Sequence, residues 1–206
     1  MTGDTWADTQ RAFADAAHWF VDVVSGGVGR WGEDGLGEWT VRDLVGHTSR
    51  ALLTVENYLD APFAAVTLGS ATDYFRAARS SIGAPDEVAQ RGRDAGARLG
   101  EDVPGAVALI ADRVVARMRS TPADAVVATP VGGMLLRDYL PTRTVELTVH
   151  TCDLAVATDQ PLTVPPTAAA QSLGALGALA AQGDSAGEIL LAATGRRGLP
   201  SGFTLL

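Results

Sequence analysis

A set of polar side chains inside an apolar segment is the feature that most limits how this chain can fold. Glu146 and His150 lie four residues apart in that segment, with Arg143 before them and Asp153 after them. On a helix all four side chains would lie along one face. Charged groups buried on such a face need partners, because an unpaired buried charge is costly. A divalent metal held by Glu146 and His150 would be one partner, and an ordinary surface pair is the alternative.

His47 is the best-placed candidate for a third ligand. The chain has three histidines, and His47 falls on the core-directed face of a predicted helix. His18 lies beside two aromatic residues in the first predicted helix, and we expect it to be a core-rim or packing histidine rather than a ligand. A His–Glu–His set from two facing helices is a common way to build a metal site in a helical bundle. Three protein ligands leave a coordination position open, as in catalytic sites.

Arg143, Cys152 and Asp153 lie near the proposed ligands in the sequence. Arg143 and Asp153 fit either side chains that orient the ligands or an ordinary ion pair on a helix surface. We favour the first and predict them as catalytic-site residues in that orienting role. Cys152 is the only cysteine. It therefore forms no intrachain disulfide, and we expect it to behave as a small buried apolar residue.

Helical periodicity predicts a mainly α-helical chain with at most one short β-hairpin or strand pair near residues 125–129. Thr40 and Asp43 resemble a capping box, and Pro62 is expected to end or kink the helix that they open. Prolines from Pro161 onward mark a linker, which divides the chain into a bundle at 1–160 and a small helical extension at 161–206. The predicted helices cover residues 5–25, 40–61, 70–82, 86–99, 104–119, 134–157, 168–181 and 185–194.

Composition excludes several classes of function. The net charge of −8 argues against nucleic-acid binding. All 16 basic residues are arginines, so neither a Schiff-base lysine nor a phosphate-loop lysine is available. We see no signal peptide and no membrane span, and therefore expect a cytoplasmic protein. We also expect it to be a monomer or a homodimer.

Two segments resemble a known family. The sequence Trp-Thr-Val-Arg-Asp-Leu-Val-Gly-His, which ends at His47, is similar to the entry of the second helix in the DinB-like superfamily, specifically its mycothiol-dependent maleylpyruvate isomerase group. Arg-Thr-Val-Glu-Leu-Thr-Val-His-Thr-Cys-Asp, at residues 143–153, resembles the second signature of that group. The resemblance implies a four-helix bundle with a long crossover connection. It also implies that His47, Glu146 and His150 bind a metal, usually zinc.

The resemblance further implies a low-molecular-weight thiol, mycothiol or a similar one, as cosubstrate. Our first hypothesis is a metal-dependent transferase or isomerase that uses this thiol on a small electrophilic substrate. The extension after Pro161 is much shorter than the second domain of the isomerase, so isomerase activity itself does not follow from the resemblance. Two other functions stay open: a hydrolase that uses metal-activated water, and a non-catalytic bundle that binds a small molecule.

Overall fold

The computed structural model describes residues 5–61, 65–79 and 85–206. The predicted end of the second helix at Pro62, and the predicted residues of the third helix beyond Arg79, lie outside this part of the chain. The elements are α1 (Trp6–Gly26), α2 (Val41–Asp60), α3 (Ala71–Arg79), α4 (Pro85–Arg98), α5 (Val103–Ser120), β1 (Val126–Thr129), β2 (Gly132–Leu135), α6 (Leu136–Ala157), α7 (Pro166–Gln182) and α8 (Ala186–Ala193).

Local sequence signals set where the main helices begin. The side chain of Thr40 accepts a hydrogen bond from the backbone N–H of Asp43, and the backbone N–H of Thr40 donates to the carboxylate of Asp43. This reciprocal pair satisfies two donors that the start of a helix leaves free, which confirms the capping box. At α5 the carboxylate of Asp102 accepts from the N–H of Gly105, and Pro104 occupies the first turn.

Four helices form the core, and each contacts two of the others. α1 and α2 both pack against α5 and α6, which produces a four-helix bundle and confirms the predicted mainly α-helical fold. The chain between α2 and α5 forms the long crossover connection and carries α3 and α4. Large side chains without solvent exposure fill the centre of the bundle, among them Phe13, Phe20, Leu44, Leu52, Met118, Leu140 and Leu154.

α4 lies unusually close to α2 at one point. A Cβ atom added to Gly46 would overlap the backbone of Gly96, and one added to Gly96 would lie 2.8 Å from the carbonyl oxygen of Arg42. Both positions therefore need glycine, because any side chain would push the two helices apart. The side chain of Arg42 donates to the carbonyl oxygens of Gly96 and Gly100 at the end of α4 and holds the helices together.

A two-stranded antiparallel sheet lies between α5 and α6. β1 pairs with β2 so that Val126 lies opposite Leu135 and Thr129 opposite Gly132. The prediction of a strand near 125–129 is confirmed. The predicted start of the following helix at Met134 is wrong by two residues, because Met134 pairs with β1 and α6 begins at Leu136.

The last helices pack on the outside of the bundle. α7 contacts α1, α3 and α6, and its Ala168 and Leu179 are buried there. α8 contacts α7 and has no buried residue among those described. The division into 1–160 and 161–206 stays a prediction. Within the described residues, every helix is too short or too polar to cross a membrane.

Candidate metal centre

α6 is buried around most of its circumference, with an exposed stripe that includes Val149 and Val156. It packs against α1, α2, α3 and α7. Glu146 and His150 face α2 at the point where α2 presents His47. One ligand atom from each of these three residues lies within 4.8 Å of the other two. The structure therefore brings together the three residues predicted from the sequence.

The separation between Glu146 and His150 fits a common ligand position. The Nε2 atom of His150 lies 3.4 Å from Oε2 of Glu146. Two ligands at about 2.1 Å from a tetrahedral zinc ion are about 3.4 Å apart. Nδ1 of His150 donates to the carboxylate of Asp153 over 3.0 Å, which turns Nε2 towards Glu146. A histidine oriented by a carboxylate in this way is typical of metal sites.

His47 supplies a buried nitrogen with no partner. Its ring meets the ring of His150 edge to face, with 4.7 Å between the centroids. Among the described residues, no hydrogen-bond partner exists for Nδ1 of His47. A buried polar atom left unpaired costs free energy, and a bound ligand would remove that cost. The ring of Trp39 lies 4.4 Å from that of His47 and fixes its other side.

The protonation states of the three residues differ because their surroundings differ. Burial, with a smaller effect of the charge on His150, lowers the pKa of His47 to about 4. Burial would raise the pKa of Glu146, but hydrogen bonding to His150 and the charge of Arg143 lower it to about 2. For His150 the effects are reversed: burial alone would lower its pKa, but its contacts with Asp153 and Glu146 raise the pKa to about 9. At neutral pH Glu146 is therefore ionised, His47 is neutral, and His150 is protonated on both ring nitrogens and positively charged.

Arg143 is buried between aromatic rings beside the centre. Its guanidinium carbon lies 5.2 Å from the ring centroid of Tyr74 and 5.1 Å from that of Tyr139, as in cation–π contacts. Its Nε donates to the hydroxyl of Thr142, and a terminal nitrogen lies 3.8 Å from Glu146. Arg143 thus lies beside a carboxylate of the centre with its side chain held in one position.

The three residues open onto a cavity of about 230 Å³, which we call the metal-site cavity. Arg50, Tyr58, Tyr74 and Arg79 also line it, and the sequence analysis missed these four residues. Arg50 was detectable, because it lies three residues after His47 and so shares its face of the helix. Tyr74 and Arg79 belong to α3, which reaches the site through tertiary packing that no local pattern signals.

The remaining candidates lie away from the centre. His18 is exposed on α1 and is therefore not packed inside the core, and it does not belong to the His–Glu–His cluster, as expected. Cys152 is a free, half-buried cysteine that packs beside the core. Burial raises the pKa of its thiol, which favours the unreactive protonated form.

The fold and this centre define a four-helix-bundle protein with a partly buried His–Glu–His cluster between α2 and α6. The model of the mycothiol maleylpyruvate isomerase N-terminal domain matches residues 34–155, and the chain therefore belongs to that family. The matched residues include His47, Glu146 and His150, and the match confirms the resemblance of the two signature segments. Searches of curated proteins and of solved structures gave no match.

Proposed function

We propose that this protein is a metal-dependent enzyme that uses a low-molecular-weight thiol, with mycothiol as the first candidate, to transfer sulfur to a small electrophile or to isomerise it. Membership of the mycothiol-related family supports the thiol. The observation that carries the metal is the convergence of His47, Glu146 and His150, with a partnerless buried nitrogen on His47. Two imidazoles and one carboxylate are a donor set that zinc accepts, and zinc is our proposed metal.

In this proposal His47, Glu146 and His150 would hold the cation at the wall of the metal-site cavity. When bound, such a cation supplies a Lewis-acidic position that lowers the pKa of a thiol and increases the fraction of reactive thiolate. A free thiol with a pKa near ~8.5 is mostly protonated at neutral pH, so this increase is useful. The neutral state of His47 and the ionised state of Glu146 make both ready to bind a cation.

Neighbouring residues position these ligands. Asp153 accepts from Nδ1 of His150 and so fixes which nitrogen faces the cavity. Arg143 lies beside Glu146 and favours its ionised form. We therefore assign Asp153 and Arg143 as positioning residues. Arg50 and Arg79 add positive charge to the cavity wall, which favours a thiolate or an electrophile that bears negative charge.

The chemistry that follows uses the sulfur as nucleophile. The thiolate forms a bond to an electrophilic carbon of an activated carbon–carbon double bond, and the π electron pair of that bond moves onto the adjacent electron-withdrawing group. In an isomerisation the former double bond rotates, the electron pair returns to re-form it, and the carbon–sulfur bond breaks, so that the thiolate is regenerated. In a transfer reaction the carbanion instead takes up a proton, the carbon–sulfur bond persists and the thiol is consumed. The two outcomes differ in whether thiol disappears as product forms.

The test is a screen of small electrophiles with the zinc-loaded protein and mycothiol, bacillithiol or glutathione. We expect turnover only when both metal and thiol are present, with loss on chelation and recovery on addition of zinc. His47→Ala is the blank, and His18→Ala is the matched control, because His18 is exposed on α1. Metal-dependent turnover that is equally fast without thiol would replace the proposal with a hydrolase.

A further inference from the structure

A second cavity lies on the other side of the residues that wall the metal site. It has a volume of about 380 Å³ and is bounded by α2, by the end of α4 and by Ile110 of α5. Arg50, Thr54 and Tyr58 line both this cavity and the metal-site cavity. We call it the α2–α4 cavity. The two cavities are therefore neighbours that share one wall.

The packing of α4 against α2 creates the α2–α4 cavity. The two helices touch backbone to backbone at Gly46 and Gly96, where neither tolerates a side chain. Ser49 and Leu53, one and two turns further along α2, line the cavity together with Ala95 and Leu99. The close contact between the two glycines therefore sets the spacing of α2 and α4 beside the cavity.

The polar part of the lining of the α2–α4 cavity is suited to oxygen atoms, and the remainder is apolar, with Leu53, Leu99 and Ile110. Arg50 and Arg98 are its charged residues, and no described carboxylate lines it or pairs with either arginine. Asn57 adds an exposed amide. These groups offer many N–H donors and few strong acceptors. In a protein with a net charge of −8 this local excess of donors favours a ligand rich in hydroxyl or carboxylate oxygens.

The two cavities differ in volume, which suits them to different parts of one ligand. Pockets that bury most of a drug-sized molecule have volumes of roughly 300–1,000 Å³. The metal-site cavity, at about 230 Å³, is below that range, whereas the α2–α4 cavity, at about 380 Å³, is within it. A compact thiol head group with a small electrophile fits the first. The rest of a bulky thiol needs the second.

We propose that the α2–α4 cavity binds the oxygen-rich arm of the thiol cosubstrate, the part remote from its sulfur, and so determines which thiol the protein uses. The inference rests on the proposed function and names the residues that select its cosubstrate. Arg98 and Asn57 donate to the arm, and Leu53 packs against it. Arg50, Thr54 and Tyr58 line both cavities and would contact a ligand that occupies the two together.

Thiol binding to the zinc-loaded protein, measured by titration calorimetry, tests this proposal without any electrophile. The three probes are mycothiol with its hydroxylated arm, bacillithiol with its carboxylate-bearing arm, and N-acetylcysteine, which has a thiol and no such arm. Mycothiol and bacillithiol, which carry an arm, are called armed thiols here. We expect the wild-type protein to bind one of them at least tenfold more tightly than N-acetylcysteine. Preference for mycothiol would identify a hydroxyl-rich ligand, and preference for bacillithiol a carboxylate-rich one.

Two variants then locate the arm. Leu53→Trp fills the cavity and should remove most of the preference for the armed thiol while leaving N-acetylcysteine affinity and zinc content unchanged. Arg98→Ala, at an exposed residue, should weaken the armed thiol by about threefold to tenfold. The matched controls are Leu109→Trp and Arg119→Ala, both at exposed residues of α5 that do not line either cavity.

The outcomes separate the two proposals. If wild type binds an armed thiol tightly and both variants bind it equally well, the arm lies elsewhere and this inference is overturned while the proposed function stands. If wild type binds an armed thiol no better than N-acetylcysteine, the inference is also overturned. If zinc-loaded wild type binds no thiol at all, the proposed function itself fails.

Discussion

Metal binding to the His–Glu–His centre should depend steeply on pH, because one ligand must lose a proton first. The pKa of His150 is about 9, whereas those of His47 and Glu146 are about 4 and about 2. Between pH 6 and 9 only His150 carries a proton that the cation must displace. Because pH 7 lies about two units below the pKa of His150, removal of this proton costs about 2.7 kcal/mol and weakens zinc binding roughly 100-fold.

The expected result is a rise in zinc affinity of about tenfold for each pH unit up to pH 9, and a plateau above it. Competition against a chelator of known affinity measures this rise and avoids zinc hydroxide. Calorimetry at pH 7 in two buffers with different ionisation enthalpies counts the protons released, and we expect close to one.

A variant tests whether His150 is the source of that proton. Asp153→Asn removes the carboxylate that accepts from Nδ1 of His150 and helps to raise its pKa. The pKa should then fall towards its usual range, so the rise in affinity should end at a lower pH. An affinity that stays flat between pH 7 and 9 in wild type, or no proton release at pH 7, would refute this account of the centre.

Three further results are expected. Glu146→Ala and His150→Ala should each abolish zinc binding in elemental analysis and keep the helical circular dichroism, because apolar packing forms the core; full zinc occupancy in either variant would remove that residue from the ligand set. Thr40→Ala should lower the free energy of unfolding by about 1 kcal/mol in urea, through loss of the cap at α2; no change would show that the cap contributes nothing. Gly46→Ala should destabilise by about 1–3 kcal/mol, since its Cβ overlaps α4, whereas Gly174→Ala, with no atom nearby, should not; equal effects would contradict the close packing.

The sequence was sufficient for the parts of the fold that local signals determine. The capping pair Thr40–Asp43 marked the start of α2, and the four-residue spacing of Glu146 and His150 placed both on one face of α6. Helix periodicity cannot show which helix faces which, so the convergence of His47 with those two residues required the structure. The family resemblance supplied the same set independently.

Other features of the site depend on tertiary packing and carried no local signal. Tyr74 reaches the centre because α3, within the crossover connection, packs against α6. The start of α6 was misplaced because the apolar periodicity continues through β2, where backbone pairing between Met134 and Val127 overrides it. Arg50 is the exception, since its spacing from His47 was visible and only its significance was missed.

The positions of the three centre residues along the chain have a consequence for how the protein matures. Glu146 and His150 are neighbours on one helix, but His47 is separated from them by nearly half of the chain. An unfolded or partly synthesised chain therefore offers a cation at most two of the three ligands in one place. If the protein binds a metal as proposed, capture of the metal has to follow docking of α2 against α6, and the ion would then stabilise the folded chain selectively. The unfolding temperature should consequently rise with the concentration of free zinc.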